Sequence, residues 1–450
     1  MPALRSSLRL VPCLLGGLLF SPVAGGQDTV RRLPGPAPAG SGMYSLASSP
    51  EGVAFLSWVE ETEGGHALRV AELLTGPVGA PGEGDEADAE REDRWGEVRQ
   101  IAEGADWFVN WADHPGIAAF SPTRLAAHWL VRNPEADGAY GYGFRMASST
   151  DRGATWREIF STGLDNTESY SGFVSYAPDQ GGFSAVYLAP APPFRRGAAP
   201  DAMTLRVLRV HAQGYNLGDL EIDALVCNCC PTAMAFVAGE PLAVVRNRVA
   251  NAPADDVRDI AITRKSRGRW EPLRPVHADG WEINGCPVNG PAAGAAGDAV
   301  AVAWFTMAEG GPEVRIAFSG NGGADFDPPL RLDGGEARGQ TALAMLDDQS
   351  VVVSWLEGDR SVMMRRVWPD GRLGSPVRLA ESAPGREAGV LQLARVADQP
   401  PPADPDAPPV DEEDEEALAE AFDPRERVVA AWRGATGVET AVIRPSALGN

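Results

Sequence analysis

Seven times along the chain a short apolar run stands between turns rich in Gly, Pro and Asp. The runs are V-A-F-L-S-W-V-E (53–60), L-A-A-H-W-L-V (125–131), F-S-A-V-Y-L (183–188) and P-L-A-V-V-R-N-R (241–248), then V-A-V-A-W-F-T (300–306), V-V-V-S-W-L-E (351–357) and V-V-A-A-W-R-G (428–434). Short runs rich in β-branched residues and bounded in this way read as strands. Most follow a small-residue strand, and most precede a strand of the L-R-V or V-R-I-A type. A repeat of roughly 50–60 residues with about four strands is a propeller blade. The pattern predicts an all-β, seven-bladed β-propeller, with a six-bladed ring as the alternative if two units merge. The last unit stops after its third strand, at 438–443. An N-terminal strand near 28–34 is therefore expected to complete its sheet and close the ring.

One turn fixes the phase of the blades. Residues 149–156 read S-T-D-R-G-A-T-W, matching the pattern S-x-D-x-G-x-T-W through Ser149, Asp151, Gly153, Thr155 and Trp156. Its chemistry is structural: the carboxylate caps backbone N–H groups, the glycine takes a left-handed conformation and the indole plugs into the blade. Ser319, Asn321, Gly323 and Phe326 form a degraded copy in the fifth unit.

Composition narrows the setting. Of 450 residues 44% are hydrophobic, which excludes wholesale disorder. The net charge of −23 excludes nucleic acid as a natural partner. Residues 1–26 read as a signal peptide, with Arg5 and Arg9 ahead of the apolar stretch Leu10 to Phe20 and a small-residue exit. No later stretch is long and apolar enough to span a bilayer. The expectation is an exported protein, periplasmic or secreted, with a single propeller domain over 27–450. Two acidic insertions, 83–94 and 398–424, are expected to be solvated loops opposite the mouth of the ring.

Blade phase then gathers the unusual residues. Connections into inner strands, ends of second strands and starts of third strands open on one mouth. Asp113 and His114 fall there, as do Glu168, Tyr170, Asn284, Asn289, Arg246, Arg248, Arg258 and Asp259. The cluster reads as a binding site or as an internal ion-pair network, Arg258 with Asp255 or Asp259 and Arg246 with Asp113. Cys227, Cys229, Cys230 and Cys286 share the mouth. Cys13 is expected to leave with the signal peptide, and the remaining four, an even number in an oxidising compartment, predict two disulfides, Cys286 tying the fifth blade to one member of the cluster. A vicinal Cys229–Cys230 bond and a soft-metal site are the other readings. C-x-C-C is not a zinc-finger spacing, and no metal or cofactor is expected.

The chain resembles the sialidase-like propellers with BNR or Asp-box turns, most of all exported bacterial proteins of that group. The residues carrying the resemblance are W-F-V-N-W-A-D-H-P (107–115), V-C-N-C-C-P-T (226–232), D-G-W-E-I-N-G-C-P-V-N-G-P (279–291) and V-A-W-F-T (302–306). It implies an exo-α-sialidase-like glycoside hydrolase acting on acidic-sugar glycans. Asp113 is then the general acid/base, Tyr170 the nucleophile and Glu168 its activator. Arg246, Arg248 and Arg258 grip a carboxylate, with Asp259, Asn284 and Asn289 beside them. Sialidases carry an early R-I-P arginine; here the nearest string is Arg32-Leu33-Pro34, in the closing strand. The rival reading is a non-catalytic propeller that binds a protein partner or an envelope polysaccharide.

Overall fold

The computed structural model describes residues 30–75, 93–136, 140–163, 170–192, 195, 201–250, 254–397 and 426–449. Residues 1–26, read above as a signal peptide, Glu168 and the acidic insertions, apart from Asp93 and Arg94, lie outside these residues. Seven separate antiparallel sheets of four or five strands follow one another along the chain, so the ring has seven blades. Their second strands, among them Ala54–Thr62, Ala299–Thr306 and Val351–Glu357, fall on the apolar runs seen in the sequence.

Each sheet has two apolar faces, and each face is buried against the neighbouring blade. The core is accordingly divided into seven clusters, each shared by two adjacent blades. Trp58, Trp304, Trp355 and Trp432 hold the same place on four second strands and are fully buried. Each packs in the cluster shared with the preceding blade. The Trp58 indole donates to Glu60 at 2.6 Å, that of Trp304 to Asp279 at 2.7 Å and that of Trp355 to Glu357 at 2.6 Å, whereas Trp432 Nε1 has no partner among the described residues. Truncating one to alanine removes a wedge between blades, a change that costs about 3–5 kcal/mol in protein cores.

The ring closes as the truncated last unit requires. Val30–Leu33 runs antiparallel to Val438–Ile443, with Val30 opposite Ile443 and Leu33 opposite Thr440. This supplies the fourth strand of blade 7 and removes a bare sheet edge. Asp93 corrects the expectation of a wholly solvated first insertion. Its carboxylate is buried and pairs with Arg31 at 2.5 Å and Arg427 at 2.7 Å, tying the closing strand to blade 7. A charge can stay buried there because two guanidinium groups meet it.

The turn at 149–156 is built from its own side chains. Ser149 Oγ accepts from the Gly153 N–H at 2.9 Å, and Asp151 Oδ1 accepts from the Thr155 N–H at 2.9 Å. Gly153 has φ 82°, where a side chain is strained. The Trp156 indole donates to the Gly153 carbonyl. The 319–326 turn repeats the scheme, with Ser319 Oγ accepting from the Gly323 N–H and Asn321 Oδ1 from the Asp325 N–H.

Candidate functional site

The inner strands of all seven blades surround a central channel of about 580 Å³, lined largely by small residues. One end of it is the mouth, and three groups of residues stand there.

The first group surrounds the cysteines. Cys229 and Cys286 form a disulfide that staples the connection entering blade 4 to the one entering blade 5. Cys227 and Cys230 are buried free thiols, so one of the two expected bridges is formed, and the vicinal Cys229–Cys230 bond is not. The Cys227 and Cys230 sulfurs are 3.4 Å apart, and Arg258 Nη1 donates to Cys227 Sγ at 3.3 Å. A guanidinium aimed at Cys227 favours the thiolate there, which makes Cys230 the donor of the pair. That hydrogen bond, with Arg258 beside it, brings the Cys227 thiol down to about 6, against the opposing effect of burial. Burial pushes Cys230 well above the ordinary thiol range.

The predicted arginines are occupied by the protein itself. Arg246 is buried, and its Nε, Nη1 and Nη2 donate to the backbone carbonyls of Asn289, Arg258 and Phe305 at 3.0, 2.7 and 2.8 Å. Its guanidinium also lies over the Trp281 ring, 4.9 Å from the centroid. Arg248 pairs with Asp201 at 2.9 Å and Asp256 at 2.7 Å. Asp259 accepts from the N–H groups of Gly280 and Trp281. Asn289 is buried, accepting from the Gln340 N–H at 2.7 Å, while Asn284 is exposed. The three arginines therefore do not converge on one open point. The ion-pair alternative is also corrected: Arg246 binds carbonyls rather than Asp113, because the long connections into blade 5 and between the middle strands of blade 4 fold over it.

The second group is a carboxyl among aromatic rings. Asp113 precedes the inner strand of blade 2 and is buried against blade 3. Tyr142 Oη donates to its Oδ2 at 2.7 Å, and the Phe173 N–H donates to its Oδ1 at 2.9 Å. Burial nonetheless raises it to about 7. Gly172 makes the fit possible, since a Cβ there would lie 1.9 Å from Asp113 Oδ2. Tyr142 is stacked between Phe108, 3.9 Å away, and Tyr170, 5.1 Å away. Tyr170 is thus brought beside Asp113, and burial and that carboxylate raise its phenol well above the ordinary range.

The third group carried no motif. A cavity of about 230 Å³ opens on the mouth between blades 7, 1 and 2. Its walls include Tyr44, His66, Trp111 and Arg433, with Glu61 and Glu387 on the rim and His114 at the side toward the channel. Tyr44 Oη and His66 Nδ1 are buried and have no hydrogen-bond partner among the described residues. Arg433 donates through Nη1 to the Ser41 carbonyl and has no carboxylate within ion-pairing distance among the described residues. The W-R-G string at 432–434 and the W-F-V-N-W string at 107–111 were the only signals for this cavity.

No family model matches the chain, and no curated protein matches it. Solved structures are similar in fold. An ulvan lyase, a polysaccharide lyase, is 10% identical over 92% of this chain and 96% of its own, with a TM-score of 0.47. A Trypanosoma rangeli sialidase in complex with sialic acid is 9% identical over 89% of this chain and 59% of its own, with a TM-score of 0.40. The β-propeller domain of the trilobed protease from Pyrococcus furiosus is 10% identical over 92% and 95%, with a TM-score of 0.43. At these identities the likeness is one of fold.

Proposed function

We propose that this chain is an exported glycan-binding propeller that takes an acidic sugar into the cavity between blades 7, 1 and 2. The observation that carries the reading is the pairing of Arg433 with two buried polar atoms that no described residue satisfies, Tyr44 Oη and His66 Nδ1. Buried polar groups are nearly always hydrogen-bonded, and one without a protein partner points to a ligand or water. Trp111 offers an apolar face to a sugar ring. Arg433 suits a carboxylate, since guanidinium groups bind carboxylates bidentately. The two glutamates accept from sugar hydroxyls. Sialic acid and uronic acids share the chemistry required, a ring with a carboxylate at its edge, and an envelope polysaccharide rich in such units is the natural ligand class.

Hydrolysis is the second reading, and one observation favours it: the Asp113 carboxyl is held at about 7, where a general acid is useful. Tyr170 and Glu168 then serve as nucleophile and activator, with Arg433 rather than Arg246 gripping the carboxylate. The test is binding of sialyl- and uronate-containing oligosaccharides, measured by calorimetry against neutral ones, with turnover of aryl α-sialosides followed in parallel. Preference for acidic ligands that disappears in Arg433→Ala supports the proposal. Equal binding by wild type and variant, or no carbohydrate binding, removes it. Turnover that is lost in Asp113→Asn adds the hydrolytic step.

A further inference from the structure

The cysteines on the other side of the mouth serve neither reading, and their arrangement is not that of an inert staple. Cys229 Sγ, bonded to Cys286, has the free Cys227 sulfur 3.8 Å away. Behind Cys227 stands the second free thiol, Cys230, at 3.4 Å. The three sulfurs of the C-x-C-C turn all lie within 4.8 Å of one another. Cys286, at the far end of the bridge, is exposed, while Cys227 and Cys230 are buried. A thiolate in contact with a disulfide, with a leaving sulfur that opens to solvent, is the constellation that thiol–disulfide exchange requires.

We propose that the four cysteines form a thiol–disulfide exchange site in which the Cys227 thiolate attacks Cys229 Sγ and releases Cys286. In the first step the Cys227–Cys229 bond forms and the Cys229–Cys286 bond breaks. The electron pair leaves on Cys286, which takes a proton from solvent. In the second step Cys230, losing its proton to the departing Cys229, attacks Cys227 and forms the Cys227–Cys230 bond. One disulfide and two thiols are present at every stage, so no external oxidant or reductant enters. The product carries its bond within one turn, and the connection into blade 5 is no longer stapled to blade 4.

The groups facing Cys227 support its role as the attacking sulfur. Arg258 donates to it from the end of the connection between the second and third strands of blade 4, and the Arg246 guanidinium adds positive potential from the second strand. Tyr170, from the connection into blade 3, is the neighbouring phenol and is neutral at physiological pH. Lowered thiol pKa values mark reactive cysteines in electropositive surroundings. The guanidinium also argues against a cation among these sulfurs, because it already occupies the thiolate with positive charge. Asn289, whose carbonyl holds Arg246, lies three residues from Cys286 on the same connection. Moving the disulfide therefore frees one of the segments that build this side of the mouth.

The experiment is native alkylation. The purified protein, without reductant, is incubated with iodoacetamide, quenched in acid, digested and mapped by mass spectrometry. The expected product carries a label on Cys286 and, in the peptide containing residues 227–230, one internal disulfide and one labelled cysteine. Cys227→Ser is expected to slow Cys286 labelling about tenfold or more, because the attacking sulfur is gone. Cys230→Ser should still release Cys286 but stop with the bond between Cys227 and Cys229. Cys286 unlabelled in the wild type, or labelled equally fast in Cys227→Ser, overturns the proposal. The wild-type map alone decides the matter if a variant fails to fold: a map that shows only Cys229–Cys286 at every time point also overturns it.

Discussion

Arg246 and Arg433 occupy one position in two blades. Ala233 and Gln392 open the inner strands of blades 4 and 7 and pair with Val244 and Ala431 on the second strands, and each arginine lies two residues beyond that pair. Both side chains leave the end of a second strand at the mouth. Arg246 meets three backbone carbonyls and an indole ring, and is buried. Arg433 meets one carbonyl and stands in the wall of a cavity. The difference lies in the loops. In blade 4 a long connection, 247–259, separates the second and third strands, and its end curls back to present the Arg258 carbonyl. In blade 7 the same connection is a tight turn, closed by the Gly434 N–H donating to the Gly437 carbonyl. It has no length with which to cover its arginine. One residue type at one site of the repeat becomes a structural clamp or an open cation according to the segment that follows it.

The largest effect that tests this contrast is Arg246→Ala. The substitution strips three buried carbonyls of their donor and leaves a void beside Trp281. Unsatisfied buried polar groups cost roughly 1–3 kcal/mol each, so with three carbonyls a loss of at least about 3 kcal/mol is expected in urea unfolding. Arg433→Ala, measured in the same way, should change stability by less than about 1 kcal/mol, because its site is open to solvent. Comparable losses in both variants mean that the two arginines are equivalent after all.

The same pair inverts when binding is read. A charged hydrogen bond contributes about 1.5–3 kcal/mol, so Arg433→Ala should weaken an acidic oligosaccharide by roughly 10- to 100-fold. Affinity lost in Arg433→Lys as well would sharpen the assignment to a bidentate contact, which an ammonium does not reproduce.

Why the architecture was legible and this contrast was not follows from where each is encoded. A blade is local: turn, small strand, apolar run and third strand lie within one stretch of chain, and Trp58 or Trp355 mark the run without reference to anything distant. Even ring closure could be read, because the last unit lacks a strand and Val30–Leu33 remains unassigned. The site is not local. Blade phase put Asp113, Arg246, Arg258 and the cysteines on one face. The partners of Arg246, however, come from blade 4's own long loop and from residues 289 and 305 in the next blade, and backbone carbonyls leave no trace in a sequence. Tyr44 and His66 matter because their buried polar atoms make no hydrogen bond of ordinary geometry to the described residues, a property of surroundings rather than of residue type. The second disulfide was expected from parity, whereas the contact of Arg258 with Cys227 is a tertiary one.

Asp113 offers a pH-dependent contrast between the two sides of the mouth. Its carboxyl is raised from an ordinary value near 3.8 to about 7 by burial. A raised carboxyl binds more protons in the folded state, so its contribution to stability is full below about 4 and is lost as pH rises through 7. In that window the wild type should lose up to about 1.4 kcal/mol per pH unit relative to Asp113→Asn, which has no such group. Parallel stability curves for the two proteins between pH 4 and 7 would show that Asp113 titrates normally and would remove its claim as a general acid.

The smallest effect is expected at Tyr44, and its sign is informative. The hydroxyl is buried and has no partner among the described residues. Deleting it relieves a desolvated polar group without opening a cavity larger than one oxygen. Tyr44→Phe should therefore leave stability unchanged or raise it by up to about 1 kcal/mol, where most buried substitutions destabilise. The same change should weaken the acidic oligosaccharide several-fold, because the bound sugar loses the donor or acceptor that the hydroxyl supplies. Functional groups held at a cost to the fold behave in this way, whereas a structural hydroxyl does the reverse. A clear loss of stability with unchanged affinity would place Tyr44 with Arg246, among the groups that build the mouth, and leave Arg433 to bind alone.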